Sequence, residues 1–233
     1  MSKGEFRLGE SIRFGWSNLW AHLGVLLACF GIYVAVVAGV ALLRVVFQIP
    51  PLAVGLLNGF VIGPLLALGF NSIGLKIVDG GDARIGDLFG QGSLILKYWL
   101  VLLALLAVMA LAALPALVVA GTGVFLLTEV PRALVWLLAA LLLLAAWAYL
   151  ALRLMFVMWL LVDKAPSVGA CLRGSFDATR DHVAGLFVLG LALLGINLLG
   201  LLCLGVGVVF SSLMSLLIFA HAYRGLEGGP AAA

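Results

Sequence analysis

The chain has 233 residues, of which 65% are hydrophobic and only 10% charged, whereas a soluble domain has about 45–50% apolar and about 25% charged residues. This composition excludes a soluble globular protein, and no polar stretch is long enough for a separate soluble module, so a single membrane domain is predicted. The formal net charge of +3 is modest and gives no indication of nucleic-acid binding.

The first apolar run begins near Leu23 and continues to Phe47, which is much longer than the apolar core of a signal peptide, about 7–15 residues. We therefore expect it to be a retained span. The three cysteines, Cys29, Cys171 and Cys203, lie in or beside apolar runs and form no pair at metal-ligand spacing. They indicate packing positions and neither a disulfide framework nor a zinc site.

Six runs in all are long enough to cross a bilayer. A spanning helix needs about 20 mainly apolar residues, because lipid offers no partner to an exposed backbone N–H or C=O. The runs that meet this requirement are 23–47, 52–78, 94–120, 132–161, 183–203 and 206–223. They predict an all-α polytopic transmembrane bundle with six spans. The alternative is that the last two runs form one long bent segment through 203–205, which would give five spans.

The distribution of cations predicts the orientation, since Lys and Arg near span ends accumulate on the cytoplasmic side. With six spans and a cytoplasmic N-terminus, only Arg44 and Arg132 of the thirteen cations lie outside. The inner set is Lys3, Arg7, Arg13, Lys76, Arg84, Lys97, Arg153, Lys164, Arg173, Arg180 and Arg224. Both termini are therefore predicted to be cytoplasmic.

The predicted outer connections are short and nearly uncharged. Residues 48–51 and 203–205 are typical of tight hairpin turns. Residues 121–131 form the longest outer loop, and its apolar stretch 124–127 is expected to lie along the outer interface.

The inner segments resemble one another. Ile12-Arg13, Trp16 and His22-Leu23 precede the first span, and Leu172-Arg173, Phe176 and His182-Val183 precede the fifth, 160 positions later. Residues 85–89 fit the pattern more loosely. We predict three parallel units, residues 8–79, 80–162 and 163–226, each consisting of an interfacial amphipathic helix and a two-span hairpin. A short tail, 227–233, follows the third unit. The alternative is convergence, because any inner segment that enters lipid favours a cation, an aromatic ring and a short polar residue.

Small residues recur every four positions on the first two spans, at Gly31, Ala35 and Gly39 and at Gly55, Gly59 and Gly63. Such ridges let helices approach closely, so the two are predicted to face each other. Pro64 and Pro115 each remove a helical hydrogen bond and are expected to kink their helices.

One motif suggests an enzyme. Asp79-Gly80-x-x-Ala83-Arg84 resembles the opening half of the CDP-alcohol phosphotransferase signature, D-G-x-x-A-R-x8-G-x3-D-x3-D. That family holds divalent metals with the later carboxylates, but Ser93, Lys97 and Val101 occupy the remaining Gly and Asp positions here. A degenerate phosphotransferase is therefore the least favoured function.

Arg153 is the main intramembrane candidate for function. It lies six residues before Trp159, hence about 9 Å deeper if that tryptophan marks the interface. An ionisable group at that depth is a functional candidate. The alternative is that Arg153 snorkels to the headgroups or pairs with Asp177 or Asp181.

The other polar candidates are weaker. Asn58, Asn71 and Asn197 lie within spans, where they form interhelical bonds or line a cavity, and bonding is the favoured interpretation. The candidate lipid or partner contacts at the inner boundary are Arg13, Arg173, His22 and His182. No nucleophile elbow, zinc-binding pair or phosphate loop is present, so no catalytic residue, cofactor or metal is predicted.

Several short motifs carry a resemblance that covers nearly the whole chain. They are 63–69, Gly80-Gly81, 87–89, 169–182 and Ala222-Tyr223-Arg224. The chain resembles a bacterial six-helix family related to the membrane domain attached to some glycerophosphodiester phosphodiesterases. The resemblance implies a bacterial cytoplasmic membrane and no assigned activity, and because the phosphodiesterase module is absent it implies no hydrolysis.

The sequence therefore predicts a non-enzymatic accessory or scaffold subunit whose partners are the lipid bilayer, phospholipid headgroups or other membrane subunits. The alternative is a small transporter or channel with a path near Arg153 and the intramembrane asparagines.

Overall fold

The computed structural model describes residues 8–126, 132–202 and 206–228. Their α-helices are α1 (Leu8–Ala21), α2 (Leu23–Phe47), α3 (Pro51–Leu57), α4 (Gly63–Val78), α5 (Ile95–Leu126), α6 (Arg132–Leu154), α7 (Val157–Lys164), α8 (Val168–Thr179), α9 (Val183–Leu202) and α10 (Val206–Glu227). A π-helical turn, Asn58–Ile62, joins α3 to α4, and two 3₁₀ turns, Ile85–Leu88 and Gly92–Leu94, precede α5.

Within this described part, six helical segments are long and apolar enough to cross a membrane, which confirms the predicted all-α polytopic bundle. In chain order, spans 1 to 6 are Leu23–Phe47, Pro51–Val78, Ile85–Gly123, Arg132–Lys164, Val183–Leu202 and Gly207–Glu227. The predicted turn at 203–205 lies outside the described residues. The helices on either side of it nevertheless run antiparallel. Gly200 of α9 lies against Gly207 of α10, whereas Asn197, earlier in α9, bonds to Ser211 and Ser215, later in α10. They form two spans and not one bent span.

Span 2 is irregular just before Pro64. Proline has no N–H, so the carbonyl of Phe60, four residues earlier, receives no helical hydrogen bond from it. The indole Nε1 of Trp99 in span 3 donates to that carbonyl at 3.0 Å, and the two rings stack with centroids 4.4 Å apart. At Pro64, where a kink is predicted, the structure has the preceding π-helical turn, and the bond from Trp99 ties span 2 to span 3.

The longest predicted loop is shorter in the structure. Helix α5 contains Pro115 and continues to Leu126, so the expectation that 121–131 is all loop is wrong for its first six residues. Within this part of α5, the hydroxyl of Thr122 donates to the carbonyl of Val118 at 2.7 Å. The other five residues, 127–131, lie outside the described part of the chain.

The predicted contact between the two glycine ridges is also wrong. A Cβ atom placed at Gly31, Gly39, Gly55 or Gly59 would meet no other atom within 4 Å. The first two spans approach each other through larger side chains instead, and the rings of Tyr33 and Phe70 meet edge to face, 6.4 Å apart. These glycines are therefore open on the side where a neighbouring helix would pack.

The core lies toward one end of the bundle, where spans 2, 4 and 6 end and spans 3 and 5 begin; we name it the basic end. The longest runs of buried residues are in the second span of each predicted hairpin, over 66–78, 153–161 and 213–223. Burial of these apolar side chains against one another holds the three hairpins together.

Each predicted unit begins with a short helix or turn, which we call its short element. The short element packs on the second span of another predicted unit. Helix α1 packs on α10, the 3₁₀ turn Ile85–Leu88 packs on α4, and α8 packs on α7. A glycine allows close approach in each case: a Cβ would contact Ile218 from Gly15, Leu88 from Gly69 and Leu160 from Gly174. The same cyclic arrangement occurs three times, each unit placing its short element on the unit before it.

The amphipathic helix predicted for the middle unit is replaced by the two 3₁₀ turns. The segment 85–94 contains three glycines, which disfavour a helix. The carboxylate of Asp87 stabilises the tight turn by accepting hydrogen bonds from the backbone N–H of Arg84 at 2.9 Å and from Lys76 at 2.6 Å.

The first and third units share one burial pattern. The buried positions of residues 11–30 are Ser11, Gly15, Leu19, Leu26 and Cys29, and those of residues 171–190 are Cys171, Ser175, Thr179, Leu186 and Leu189. Every member of one set lies 160 positions from its counterpart in the other. Equal spacing of buried positions is what a repeated unit predicts.

Candidate functional site

Three spans meet at the basic end through one guanidinium. Arg224 of span 6 binds Asp79 at the end of span 2, with Nε and Nη2 donating at 2.8 and 2.7 Å. Its Nη1 and Nη2 also donate to the two oxygens of Asp163 in span 4, each at 2.8 Å. Paired bonds of this kind fix both distance and orientation. We name Asp79, Asp163 and Arg224 the charge triad.

Aromatic side chains enclose one side of the charge triad. The hydroxyl of Tyr223 donates to Asp163 at 2.9 Å. The Tyr223 ring, which is fully buried, lies beside Phe156 and Trp159, at centroid distances of 5.9 and 6.4 Å. The centre of the basic end is therefore filled by side chains, and an ion pair between Lys164 and Glu227 also joins spans 4 and 6 there.

The members of the charge triad occupy corresponding places on their helices. Asp79, Asp163 and Arg224 each lie ten residues after a position at which a short element touches the span. Those three contact positions are Gly69, Arg153 and Met214. The contact is made at the span backbone in every case, and at Gly69 it requires the absence of a side chain.

The geometry at the three contact positions is similar. A Cβ at Gly69 would meet the backbone of Leu88, while a Cβ at Gly15 would lie 3.3 Å from the carbonyl oxygen of Met214. The carbonyl of Arg153 accepts a hydrogen bond from the hydroxyl of Ser175 at 2.7 Å.

Arg153 lies where span 4 is interrupted between α6 and α7, and it is only 9% exposed. Its Nη1 donates to the hydroxyl of Thr179 at 3.3 Å. Its guanidinium carbon lies 5.0 Å from the centroid of the Phe176 ring and 5.8 Å from that of Tyr149. The Nε–H group is buried and finds no hydrogen-bond acceptor among the described residues.

The expected ion pair of Arg153 with Asp177 or Asp181 is not found. In the described ranges no carboxylate lies within ion-pair distance of this guanidinium. Thr179, Phe176 and Tyr149 supply a hydroxyl and two aromatic rings, none of which carries a compensating charge. The result is a buried cation whose hydrogen-bonding capacity is only partly used.

Asn197 confirms the expectation of an interhelical bond. Its amide N donates to Ser215 and its amide O accepts from Ser211, both at 2.9 Å. Asn58 lies in the π-helical turn, and its buried Oδ1 receives no hydrogen bond from any residue that the structure describes. Asn71 is partly buried in α4. The structure does not bring the three asparagines together.

The candidates at the helix junctions fall into two pairs. Arg13 and Arg173 are exposed on α1 and α8. His22 and His182 are half-buried, and each lies immediately before a span. Their backbone carbonyls accept hydrogen bonds from the backbone N–H groups of Leu26 and Leu186 at 3.1 and 2.9 Å, so each histidine lies at the first backbone turn of the following helix.

Sequence reasoning missed the charge triad and the two hydroxyls at Arg153. It noted Asp79 only as part of the half-motif of a phosphotransferase, yet that carboxylate is bound by Arg224. A signal was present, since Asp79, Asp163 and Arg224 all lie at the same end of an even-numbered span. Among the described residues there is no cluster of three or more side chains suited to hold a metal ion.

No protein-family profile, curated protein or solved structure matches this chain.

Proposed function

We propose that this chain is a non-enzymatic, multi-pass protein of the bacterial inner membrane, with both termini in the cytoplasm, that acts as an accessory or scaffold subunit. It associates with partner membrane proteins or with phospholipid headgroups. The membrane and the orientation rest on the resemblance and on the cation distribution along the sequence.

One contrast carries the proposal. At the basic end the three hairpins are joined by the charge triad and by glycine contacts. Farther along spans 1 and 2, a Cβ added at the ridge glycines Gly31, Gly39, Gly55 and Gly59 would meet no neighbouring element of the described part of the chain within 4 Å. Small-residue ridges favour close packing of a helix in lipid, where the hydrophobic effect does not drive association. The first hairpin thus offers a surface that suits a transmembrane helix of a partner.

The charged groups at the basic end support a structural role. The charge triad, the pair of Lys164 with Glu227 and the pair of Lys76 with Asp87 bind side chains of the chain itself. Carboxylates held in this way are occupied by cations and do not stand ready as acids, bases or metal ligands.

The test is site-specific photo-crosslinking in native membranes, with a crosslinker in place of Ala35, followed by identification of the adduct. We expect an adduct with a membrane protein, and we expect it to be lost in Gly31→Leu and Gly55→Leu. The matched control is Gly190→Leu in α9, where a Cβ likewise meets nothing within 4 Å. Adducts that survive both ridge variants, or no adduct at Ala35, would refute a partner on this surface.

The second candidate is a small transporter, favoured by one observation: the buried guanidinium of Arg153 has no carboxylate partner among the described residues. Uptake of inorganic phosphate by reconstituted vesicles, lost in Arg153→Ala, would support it. The packed aromatic rings and the charge triad at the basic end argue against an open path there.

A further inference from the structure

Arg153 carries a charge that the architecture does not require. The corresponding positions on the other two second spans are occupied by Gly69 and Met214, both uncharged. All three positions meet their short elements through the span backbone. The scaffold therefore forms around a glycine or a methionine at this place, and the guanidinium of Arg153 is an addition to it.

This addition is costly without a counter-charge. Removing a cation from water is unfavourable even after the protein relaxes around it. The rings of Phe176 and Tyr149 offset part of this through cation–π attraction, and the Thr179 hydroxyl adds one neutral acceptor. The Nε–H group still has no acceptor among the described residues. An anion that binds beside Nε would supply both the missing charge and the missing acceptor.

We infer that Arg153 binds a phosphate-bearing anion beside its Nε–H group, in a site walled by Phe176 and Tyr149. The inference deepens the lipid-binding part of the proposed function and rests on it. The anion has two possible sources with the same chemistry, the headgroup of an anionic phospholipid and free phosphate.

The chemistry of the guanidinium specifies a phosphate. Its planar array of N–H groups matches two oxygens of one phosphate, and among the described residues only Nη1 is used, by Thr179, so the edge formed by Nε and Nη2 has no hydrogen-bond acceptor. Basic pockets between spans near a membrane face are suited to lipid headgroups. Tyr149, which is 50% exposed, opens the site toward the lipid-facing surface of α6.

The experiment compares the full-length chain with Arg153→Met in two measurements. Met is the residue at the corresponding position of α10, so this variant is expected to fold. In the first arm, native mass spectrometry follows release from nanodiscs of phosphatidylethanolamine and phosphatidylglycerol. In the second, inorganic phosphate is titrated against the thermal unfolding midpoint in detergent. Arg180→Gln, which removes an exposed cation directly after α8, is the matched control for general surface attraction.

We expect the wild type and Arg180→Gln to retain phosphatidylglycerol or to be stabilised by phosphate. We expect Arg153→Met to bind about tenfold more weakly, because the free energy of one hydrogen bond to a charged group corresponds to about that change in affinity. A loss in the first arm alone identifies a lipid headgroup, and a loss in the second alone identifies free phosphate.

If Arg153→Met does not fold, the inference is tested with the wild type and Arg153→Lys. A wild type that binds neither ligand, or a lysine variant that binds as tightly as the wild type, overturns the inference. Equal binding by the wild type and Arg153→Met also overturns it. None of these results alters the crosslinking test at Ala35, so failure here is distinguishable from failure of the partner proposal.

Discussion

Arg224 and Asp163 face each other across spans 6 and 4 with two nitrogen–oxygen distances of 2.8 Å. The same guanidinium also binds Asp79, so one side chain joins the ends of three spans. The arginine is 15% exposed and Asp163 is 14% exposed, so water screens their attraction only in part.

Arg224→Gln should therefore destabilise the bundle. It leaves two neighbouring carboxylates without their cation, and we expect a loss of about 2–3 kcal/mol, below the roughly 3–5 kcal/mol of a fully buried pair because Asp79 is 43% exposed. The measurement is unfolding in a mild detergent. Lys164→Gln removes the more exposed pair with Glu227 and should cost no more than about 1 kcal/mol. Equal losses in the two variants would contradict a special role for the charge triad.

Gly69→Ala should be strongly destabilising. The new Cβ would lie 2.7 Å from the backbone carbonyl carbon of Leu88, which cannot rotate away as a side chain would. We expect a cost of about 1–3 kcal/mol, as for other overpacked sites. Gly55→Ala is the control, because its Cβ meets open space and alanine is the better helix former. Comparison of their thermal unfolding midpoints checks the prediction, and a harmless Gly69→Ala would show that the 3₁₀ turn does not pack closely on α4.

Asn197→Leu should weaken the last hairpin. It removes the amide that bridges Ser211 and Ser215, and hydrogen bonds between spans average about 0.6 kcal/mol with a maximum near 1.7 kcal/mol. We expect a loss of about 1 kcal/mol in detergent unfolding. Asn71→Leu, at a partly buried position of α4, should change stability less. The reverse order would mean that Asn71 is the more important polar contact.

Thiol labelling tests the orientation. Cys171 is buried in α8, and burial raises the pKa of its thiol, so at neutral pH it stays protonated and unreactive. With Cys203 replaced by alanine, an impermeant maleimide should label Asp82→Cys and Ser167→Cys only from the cytoplasmic side and Arg132→Cys only from outside. All three positions are exposed. Labelling of Asp82→Cys and Ser167→Cys from opposite sides would contradict the six-span topology.

The sequence by itself determined the helical class and the six apolar runs, because the need to satisfy backbone hydrogen bonds in lipid is local and follows from run length and hydropathy. That the last two runs are separate spans was decided by the contacts between α9 and α10. It also revealed the 160-residue correspondence, since the positions of a helix that face a neighbour follow from its period. It did not reveal which spans meet. The ridges at Gly31 and Gly55 have the pattern of a contact and touch nothing, whereas the contact at Gly69 is made with a 3₁₀ turn.

Only the tertiary structure decided the sites. Asp79, Asp163 and Arg224 are separated by up to 145 positions, and bringing them together depends on how three helices pack, which no local pattern encodes. The separation of Arg153 from carboxylates is likewise a property of the folded chain. Asp177 lies in α8 and Asp181 in the turn after it, yet the groups of the described residues that contact the guanidinium are one hydroxyl and two aromatic rings. Hydropathy is additive along the chain, whereas charge pairing depends on distances that exist only after the spans have packed.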